Sequence, residues 1–442
     1  MQEQIALINV RPMWARVPLV LLAALALYCA WFAVRWGIGS TMAETAPLSY
    51  ATDPTAAFES AEAGARLAPR DPYTHLMLAR LNQVGFEPEA VPRALAEYGE
   101  AAALAPNDYM IWMEAGRARA ALGDTEGGVA ALRRAAELAP NYMQPRWHLG
   151  NALLRAGRTE EAFAELRRAA DVDSTLRPQV FNLAWQVYAP DIPRVVDAVG
   201  KTPESRAQLV GVLAGRGNLE EAQRVWEELG PETRSAQKGG GAADALARAL
   251  YAKGQYRRAL AVLTEGGFPG LSVGQFNDGG FESDIAPGAR SLFGWNVTQG
   301  SGQVVVDARG AHGGRRSVRV AFSSSGQVDF RNVSQTVAVE PGARYRLSFF
   351  VKTDELRSTA TLALMVSDPA SPDAPLAASA PVAQGTRDWQ PVSFEFTAGP
   401  KTEAVLVRVV RVPCAEGACP IYGKIWYDDF NLERAGGRAP AR

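Results

Sequence analysis

Three cysteines and three histidines among 442 residues leave little for a metal cluster, and neither a C-x-x-C pair nor an H-x-x-x-H spacing occurs. Excess charge is also missing. Forty-six Lys and Arg face 47 Asp and Glu, for a formal net charge of −1, so no global field selects nucleic acid or an anionic surface. No G-x-S-x-G elbow, H-E-x-x-H helix or P-loop is present. The S-x-x-K spacing of Ser235–Lys238 falls in a polar, Gly-rich joint without partner motifs. The expectation is a chain that is not an enzyme and has no nucleic-acid partner. What the chain does have is length for two or three domains, with 47% hydrophobic and 21% charged residues.

Val17 to Val34 carries no charge and almost no polar group. At 1.5 Å per residue the run spans roughly 27 Å, close to a bilayer core. Trp14, Trp31 and Trp36 flank or end it as interfacial aromatics do. It exceeds a signal-peptide core, and no clean small-x-small site follows. The reading is an uncleaved transmembrane anchor at 17–36. Arg11, Arg16 and the amino terminus precede it, whereas Arg35 alone directly follows, with Glu44 and Asp53 beyond. That bias puts residues 1–16 in the cytoplasm and the bulk outside, in a bacterial inner membrane facing the periplasm. Cys414 and Cys419 agree, because an oxidising compartment lets this spacing close a short disulfide loop.

From 49 to 265 the sequence repeats. Gly116 matches Gly150, Gly123 matches Gly157, Leu132 matches Leu166 and Ala135 matches Ala169, each at an offset of 34. That period marks paired-helix solenoids. Trp112, Leu149-Gly150, Gly157 and Ala162 fall where the tetratricopeptide repeat has its bulky first-helix residue, Leu-Gly pair, turn glycine and small crossing residue, and the pattern resembles that family. Asp53–Pro69 reads as a second helix alone, and His75 and His148 as ordinary helix positions. The resemblance implies a groove for a partner protein. Lys238–Gly241 reads as a flexible joint and 266–273 as a linker.

From Phe268 the hydrophobic period falls toward 2, with Gly, Pro and Asp between runs. About eight strands over 274–435 argue for an antiparallel β-sandwich of the jelly-roll kind. The stretches "NDGGFESD", "HGGRRSVRV", "QTVAVEPGARYRLSF", "WQPVSFEF" and "IWYDDF" follow one another in an order similar to carbohydrate-binding modules of the family 4 and 9 type. In such a sandwich the first and last strands are expected to be neighbours, so Glu282 could meet Asp428 or Asp429. The resemblance implies a structural Ca²⁺ there, with carbonyls near His312–Arg315 as further ligands. Alternation puts Asp428 on the face of Trp426, Phe430 and Leu432. The plain alternative is turn and surface acids. For sugar, Phe350 on the non-core face, with Arg346 and Lys352 beside it, is the candidate wall, and Trp389 and Tyr422 are others. Trp295 reads as core.

The fold class expected is multidomain α plus β: a single transmembrane helix, an α-solenoid of tetratricopeptide-like repeats, an antiparallel β-sandwich and a disordered tail at 436–442. The function expected is a membrane-anchored, non-catalytic adaptor in cell-surface polysaccharide assembly or export. It would hold a partner protein on its repeats and glycan on its sandwich. The alternative is a protein-assembly scaffold whose sandwich binds no sugar, and a glycan hydrolase with paired acids is a third reading.

Overall fold

The computed structural model describes residues 13–84, 89–237, 241–285, 291–298, 300, 302–308, 310–414 and 419–435. Residues 1–12, most of the joint at Lys238–Gly241 and the tail 436–442 lie outside the described residues. Packing divides the chain into two units, Met1–Val199 and Gly200–Arg442.

The first unit begins with α1, Met13–Ser49, one helix of 37 residues. Among the described residues it is the one helix long and apolar enough to cross a membrane. Its side chains from Val17 to Val34 are exposed, as the apolar run requires of a segment with no protein around it. The helix does not stop there. Beyond Trp36 it becomes amphipathic, burying Gly39, Ala43 and Ala46 against α2, Pro54–Leu67. A Cβ on Gly64 would lie 2.6 Å from the Gly39 carbonyl oxygen and 2.9 Å from the Ala43 nitrogen, so these helices touch backbone to backbone. Ser40 donates to Asp71 Oδ2 at 2.7 Å, and the Arg35 guanidinium to the Arg66 carbonyl at 3.0 Å. The reading of Asp53–Pro69 as a second helix alone is thereby corrected. Its partner is the last part of α1, hidden because the switch from all-apolar to amphipathic needs no helix breaker.

Four further pairs follow: α3 Pro72–Val84 with α4 Ala90–Leu104, α5 Tyr109–Ala121 with α6 Thr125–Leu138, α7 Met143–Arg155 with α8 Thr159–Val172, and α9 Arg177–Tyr188 with α10 Ile192–Val199. Aspartates start several of them. Asp108 accepts from Met110 N and Asp124 from Gly127 N, satisfying first-turn donors. Gly123 and Gly157 take φ of 93° and 72° at the turns inside their pairs. The 34-residue offset has a packing meaning. A Cβ on either Gly116 or Gly150 would stand 2.6 Å from the Cγ of Leu132 or Leu166 respectively, so each glycine lets its two helices close at the same place.

The second unit opens with α11 Pro203–Gly215, α12 Leu219–Glu227, α13 Pro231–Ser235, α14 Ala242–Ala252 and α15 Tyr256–Glu265. Ten strands then build two antiparallel sheets, where about eight were expected: β1 Asn296–Val297, β2 Gln303–Asp307, β3 Ser317–Ser324, β4 Val333–Ala338, β5 Arg344–Arg357, β6 Leu362–Asp368, β7 Ser371–Ala378, β8 Gly385–Thr397, β9 Ala404–Arg411 and β10 Ile421–Arg434. The strand orders are β1-β4-β9-β6-β7 and β2-β3-β10-β5-β8. First and last strands therefore lie in different sheets, contrary to expectation. What meets β10 is the turn before β1: Phe430 N donates to the Gly279 carbonyl at 2.9 Å. Phe281, Trp295, Phe349 and Phe430 pack face and edge at that end of the core, and Trp295 is core as expected.

Helices cover part of the first sheet. Tyr251 of α14 shares a hydrogen bond with Thr336 of β4 at 2.7 Å, its ring stands edge-on to Phe293, and Arg257 N donates to Glu403 at 3.2 Å. The expected linker 266–273 thus joins parts already in contact. Cys414 and Cys419 form the expected disulfide. Beside it the buried Arg411 guanidinium donates to the carbonyls of Ala360, Val328 and Cys419 and to the Ser358 hydroxyl.

Candidate functional site

The site grows from an irregularity in β10. Asp428 pairs with Phe350 of β5, but Asn431 pairs with Ser348, so three steps on β10 oppose two on β5. Asp429 absorbs the extra residue with φ of 51°. The bulge reverses the parity of the strand. Trp426 and Asp428 lie on the outer side, whereas Phe430 and Leu432 turn into the core. This corrects the alternation that put all four on one face. Asp428 is nonetheless fully buried, because the 310–316 loop folds over it.

Asp428, Asp429 and Glu282 all border Gly280. A Cβ on Gly280 would lie 3.7 Å from Asp429 Oδ1, 3.9 Å from Asp428 Oδ1 and 3.9 Å from Glu282 Cγ. Their repulsion is relieved by backbone N–H groups. Asp428 Oδ2 accepts from His312 N at 2.7 Å and Gly313 N at 3.2 Å, and its Oδ1 from Asp429 N at 2.8 Å. Glu282 Oε1 accepts from Arg315 N at 2.6 Å and Arg316 N at 3.1 Å. These donors hold the Glu282 carboxyl below the usual range. Burial pushes the Asp428 carboxyl up, against the N–H groups of His312 and Asp429, which pull it down. An all-oxygen set beside a side-chain-free glycine has the donor chemistry of a hard cation. In the arrangement present, no three His, Cys, Asp or Glu side chains among the described residues converge closely enough to hold one.

His312 connects this cluster to the outer face of the second sheet. Its Nδ1 lies 2.6 Å from Asp429 Oδ2, and its ring stacks on Phe350, with centroids 3.6 Å apart and planes 16° from parallel. Trp389 stands edge-on to the same imidazole at 5.7 Å. Lys352 lies 3.2 Å from Asp388, next to Trp389. Phe350, Lys352 and Trp389 are therefore brought together, but one face of Phe350 is taken by His312. Arg346 is not in this group. It lies four residues along β5, roughly 13 Å away at strand rise, paired with Glu395, which also binds Arg344. Tyr422 is exposed at the far end of β10, opposite Arg357 and six residues from Asp428, roughly 20 Å away.

Two residues were missed as parts of this face. Trp426 is half-buried on the outer side, where its Nε1 donates to Asp307 at 3.2 Å beside Arg319. Its position in register with Lys424 was a signal, overridden by the false parity with Phe430. The His312 side chain had no local signal at all, since its partners lie about 40 and 117 residues away.

Comparisons with known proteins bear on both units. A carbohydrate binding domain model of the family 4/9 type matches residues 273–415, and a tetratricopeptide repeat model matches residues 111–142. The chain carries a tetratricopeptide repeat and a C-terminal carbohydrate-binding domain. The carbohydrate-binding match ends before β10, so Asp428 and Asp429 lie outside it. A search of curated proteins finds no match. Among solved structures, one described as "CBM4 structure and function" is 19% identical and covers 36% of this chain and 99% of its own, with a TM-score of 0.28. The pilF protein of Pseudomonas aeruginosa is 13% identical, covering 52% and 92%, with a TM-score of 0.30. MamA from Desulfovibrio magneticus RS-1 is 13% identical, covering 46% and 98%, with a TM-score of 0.29.

Proposed function

We propose that this chain is a non-catalytic adaptor anchored in a bacterial inner membrane through α1, with its bulk in the periplasm. The helical repeats hold a partner protein, and the sandwich holds glycan for cell-surface polysaccharide assembly or export. The observation that carries the glycan half is the contrast between the sheets. Helices cover part of the first sheet's outer face at β4, while the second sheet presents His312, Phe350, Trp389 and Trp426 among charged side chains. Flat rings bordered by hydrogen-bonding groups are what a sugar ring and its hydroxyls require. The His312–Trp389 corner, rather than Phe350 alone, is the proposed stacking surface.

A glycan-array screen of the full chain in detergent micelles tests this, since helices α14 and α15 pack on the sandwich and an isolated sandwich would expose their contact face. Native protein should retain a glycan that Trp389→Ala and His312→Ala release. No retention at high protein concentration would remove the sugar half. Calcium is a separate proposal. Glu282, Asp429 and Asp428 would hold it, and it would supply cross-linking of the 278–282 turn, the 312–316 loop and β10. Calcium should raise the melting temperature of the native chain and not of Glu282→Gln. Equal melting in calcium and in chelator would discard it.

The second reading, a protein scaffold without sugar binding, is favoured by how fully the face is satisfied internally. His312 lies on Phe350, Lys352 on Asp388, Lys424 on Asp354 and Arg319 on Asp307. Partner capture that survives Trp389→Ala, with no glycan retained by the native chain, would select it.

A further inference from the structure

With α1 in a bilayer, one edge of the first unit is set close to the membrane. α2 runs back along the end of α1: Ser60 Oγ donates to the Met42 carbonyl at 3.2 Å, Gly64 meets Gly39, and the Arg66 carbonyl accepts from the Arg35 guanidinium. The turn from α2 into α3 therefore lies beside Ser40, whose hydroxyl reaches Asp71. Ser40 is four residues past Trp36, about 6 Å along a helix. Headgroups occupy about 5–7 Å on each side of a bilayer core. The next two turns between pairs lie on the same edge. Tyr73 donates to Asp108 Oδ2 at 2.8 Å, and the rings of Tyr109 and Tyr142 are 5.2 Å apart.

This edge carries rings and apolar side chains. Tyr73, Met110 and Tyr142 are 47%, 44% and 53% exposed, too open to be core of this chain. Leu104, at the end of α4, is exposed beside them. Arg66 and Arg70 are exposed at the first turn, with Glu62 3.8 Å from Arg66. The opposite edge differs. The turns inside α5–α6 and α7–α8 carry Asp124, Glu126, Arg158, Glu160 and Glu161 and no aromatic ring. Tyr50, at the turn between α1 and α2, stands edge-on to Phe58 and donates to the Val84 carbonyl at 3.2 Å.

We propose that the turns between the helical pairs rest on the lipid headgroups of the membrane that α1 crosses, with Tyr73, Met110 and Tyr142 in the interface. The inference rests on the anchored reading and adds a second contact with the bilayer. Tyrosine suits this layer because its ring is apolar and its hydroxyl wet. Arg66 and Arg70 bring cations to lipid phosphate. Continuity of the edge with α1 favours a plane of lipid over a protein segment as its occupant.

The test places the full chain, with Cys29→Ser, in vesicles of three parts phosphatidylethanolamine to one of phosphatidylglycerol. A nitrobenzoxadiazole label is attached through Met110→Cys, Tyr142→Cys, Glu126→Cys or Leu25→Cys, one per protein. Labelling without reductant leaves the Cys414–Cys419 disulfide closed. Emission at 110 and 142 should shift to the blue and be quenched by a lipid spin-labelled on its headgroup. Emission at 126, on the opposite edge, should show neither. Emission at 25 should be quenched by a lipid spin-labelled deep in its acyl chain. Quenching at 25 with none at 110 and 142 overturns the proposal and leaves the anchor, whereas no quenching at 25 overturns both. Quenching at 126 equal to that at 110 also overturns it. So does a blue shift at 110 and 142 without quenching by lipid, which would assign the edge to a second copy of the chain. Arg66→Gln with Arg70→Gln should lower the quenching at 110, and quenching equal to native would remove the arginines from the contact. All four label positions are exposed, so native circular dichroism of each labelled chain will show that the fold is kept.

Discussion

Substituting Gly64 by Ala tests whether α1 passes directly into the first helical pair. The new Cβ would meet the Gly39 carbonyl oxygen at 2.6 Å and the Ala43 nitrogen and Cβ at 2.9 Å. All three atoms belong to the backbone or to a Cβ, so no flexible side chain can move aside. Ordinary contact needs several tenths of an ångström more, and α1 and α2 must separate along their crossing. Overpacking of this kind costs about 1–3 kcal/mol. Replacing a mid-helix glycine by alanine returns about 1 kcal/mol of helix propensity. Three contacts below 3.0 Å with unyielding atoms put the cost in the upper part of that range, so the net expectation is a loss of roughly 1–2 kcal/mol, or about 2–8 °C in melting temperature for a unit of this size. Gly99→Ala in α4 is the internal control, since nothing lies within 4 Å of its Cβ. There propensity acts alone, and a gain of about 0.5–1 kcal/mol is expected. Thermal melts of the full chain in micelles give the global shift, and amide hydrogen exchange across 37–67 reads the hairpin itself. A Gly64→Ala protein as stable as native, with unchanged exchange, would refute the close helix crossing and with it the continuous helix.

Arg411→Met should destabilise the second unit by about 3 kcal/mol or more, because several buried acceptors lose their donor together; urea unfolding followed by tryptophan fluorescence measures it. Arg411→Lys should recover little, since one ammonium cannot reproduce the guanidinium's spread of donors. Reducing the Cys414–Cys419 disulfide should cost about 2 kcal/mol for so short a loop, read as a lower denaturation midpoint in reductant and absent in a Cys414→Ser, Cys419→Ser protein. Acid should weaken the second unit. Glu395, beside Arg346 and Arg344, and Asp388, beside the Trp389 N–H and Lys352, have carboxyls held below their ordinary values. A lowered folded pKa contributes stability present above the unfolded value and lost as pH falls through the folded one. Melting temperature should therefore drop as pH falls below about 4, and less steeply in an Asp388→Asn, Glu395→Gln protein.

Most of the architecture was legible because it is written in short-range patterns. The 34-residue offset located helix pairs whose glycines make matching contacts with Leu132 and Leu166. Alternation in β5 correctly put Tyr345, Leu347, Phe349 and Val351 inside. The site was less legible. Glu282 and the Asp428–Asp429 pair border the same glycine, Gly280, but not for the reason expected, since β1 and β10 are in different sheets and it is the 278–282 turn that lies against β10. Phe350, Lys352 and Trp389 converge, whereas Arg346 and Tyr422 do not, because sharing a sheet face sets no distance along a strand.

The sequence by itself determined which segments are helix and which are strand, the apolar run fit to cross a membrane, and the pairing of Cys414 with Cys419, since each depends on residues within a few turns or one loop of one another. Tertiary structure alone decided that α1 serves both as the apolar run and as the first helix of the array, that one bulged residue at Asp429 turns Phe430 inward, and that His312 covers Phe350. Those outcomes depend on contacts between residues tens to more than a hundred positions apart, and no local period carries that information.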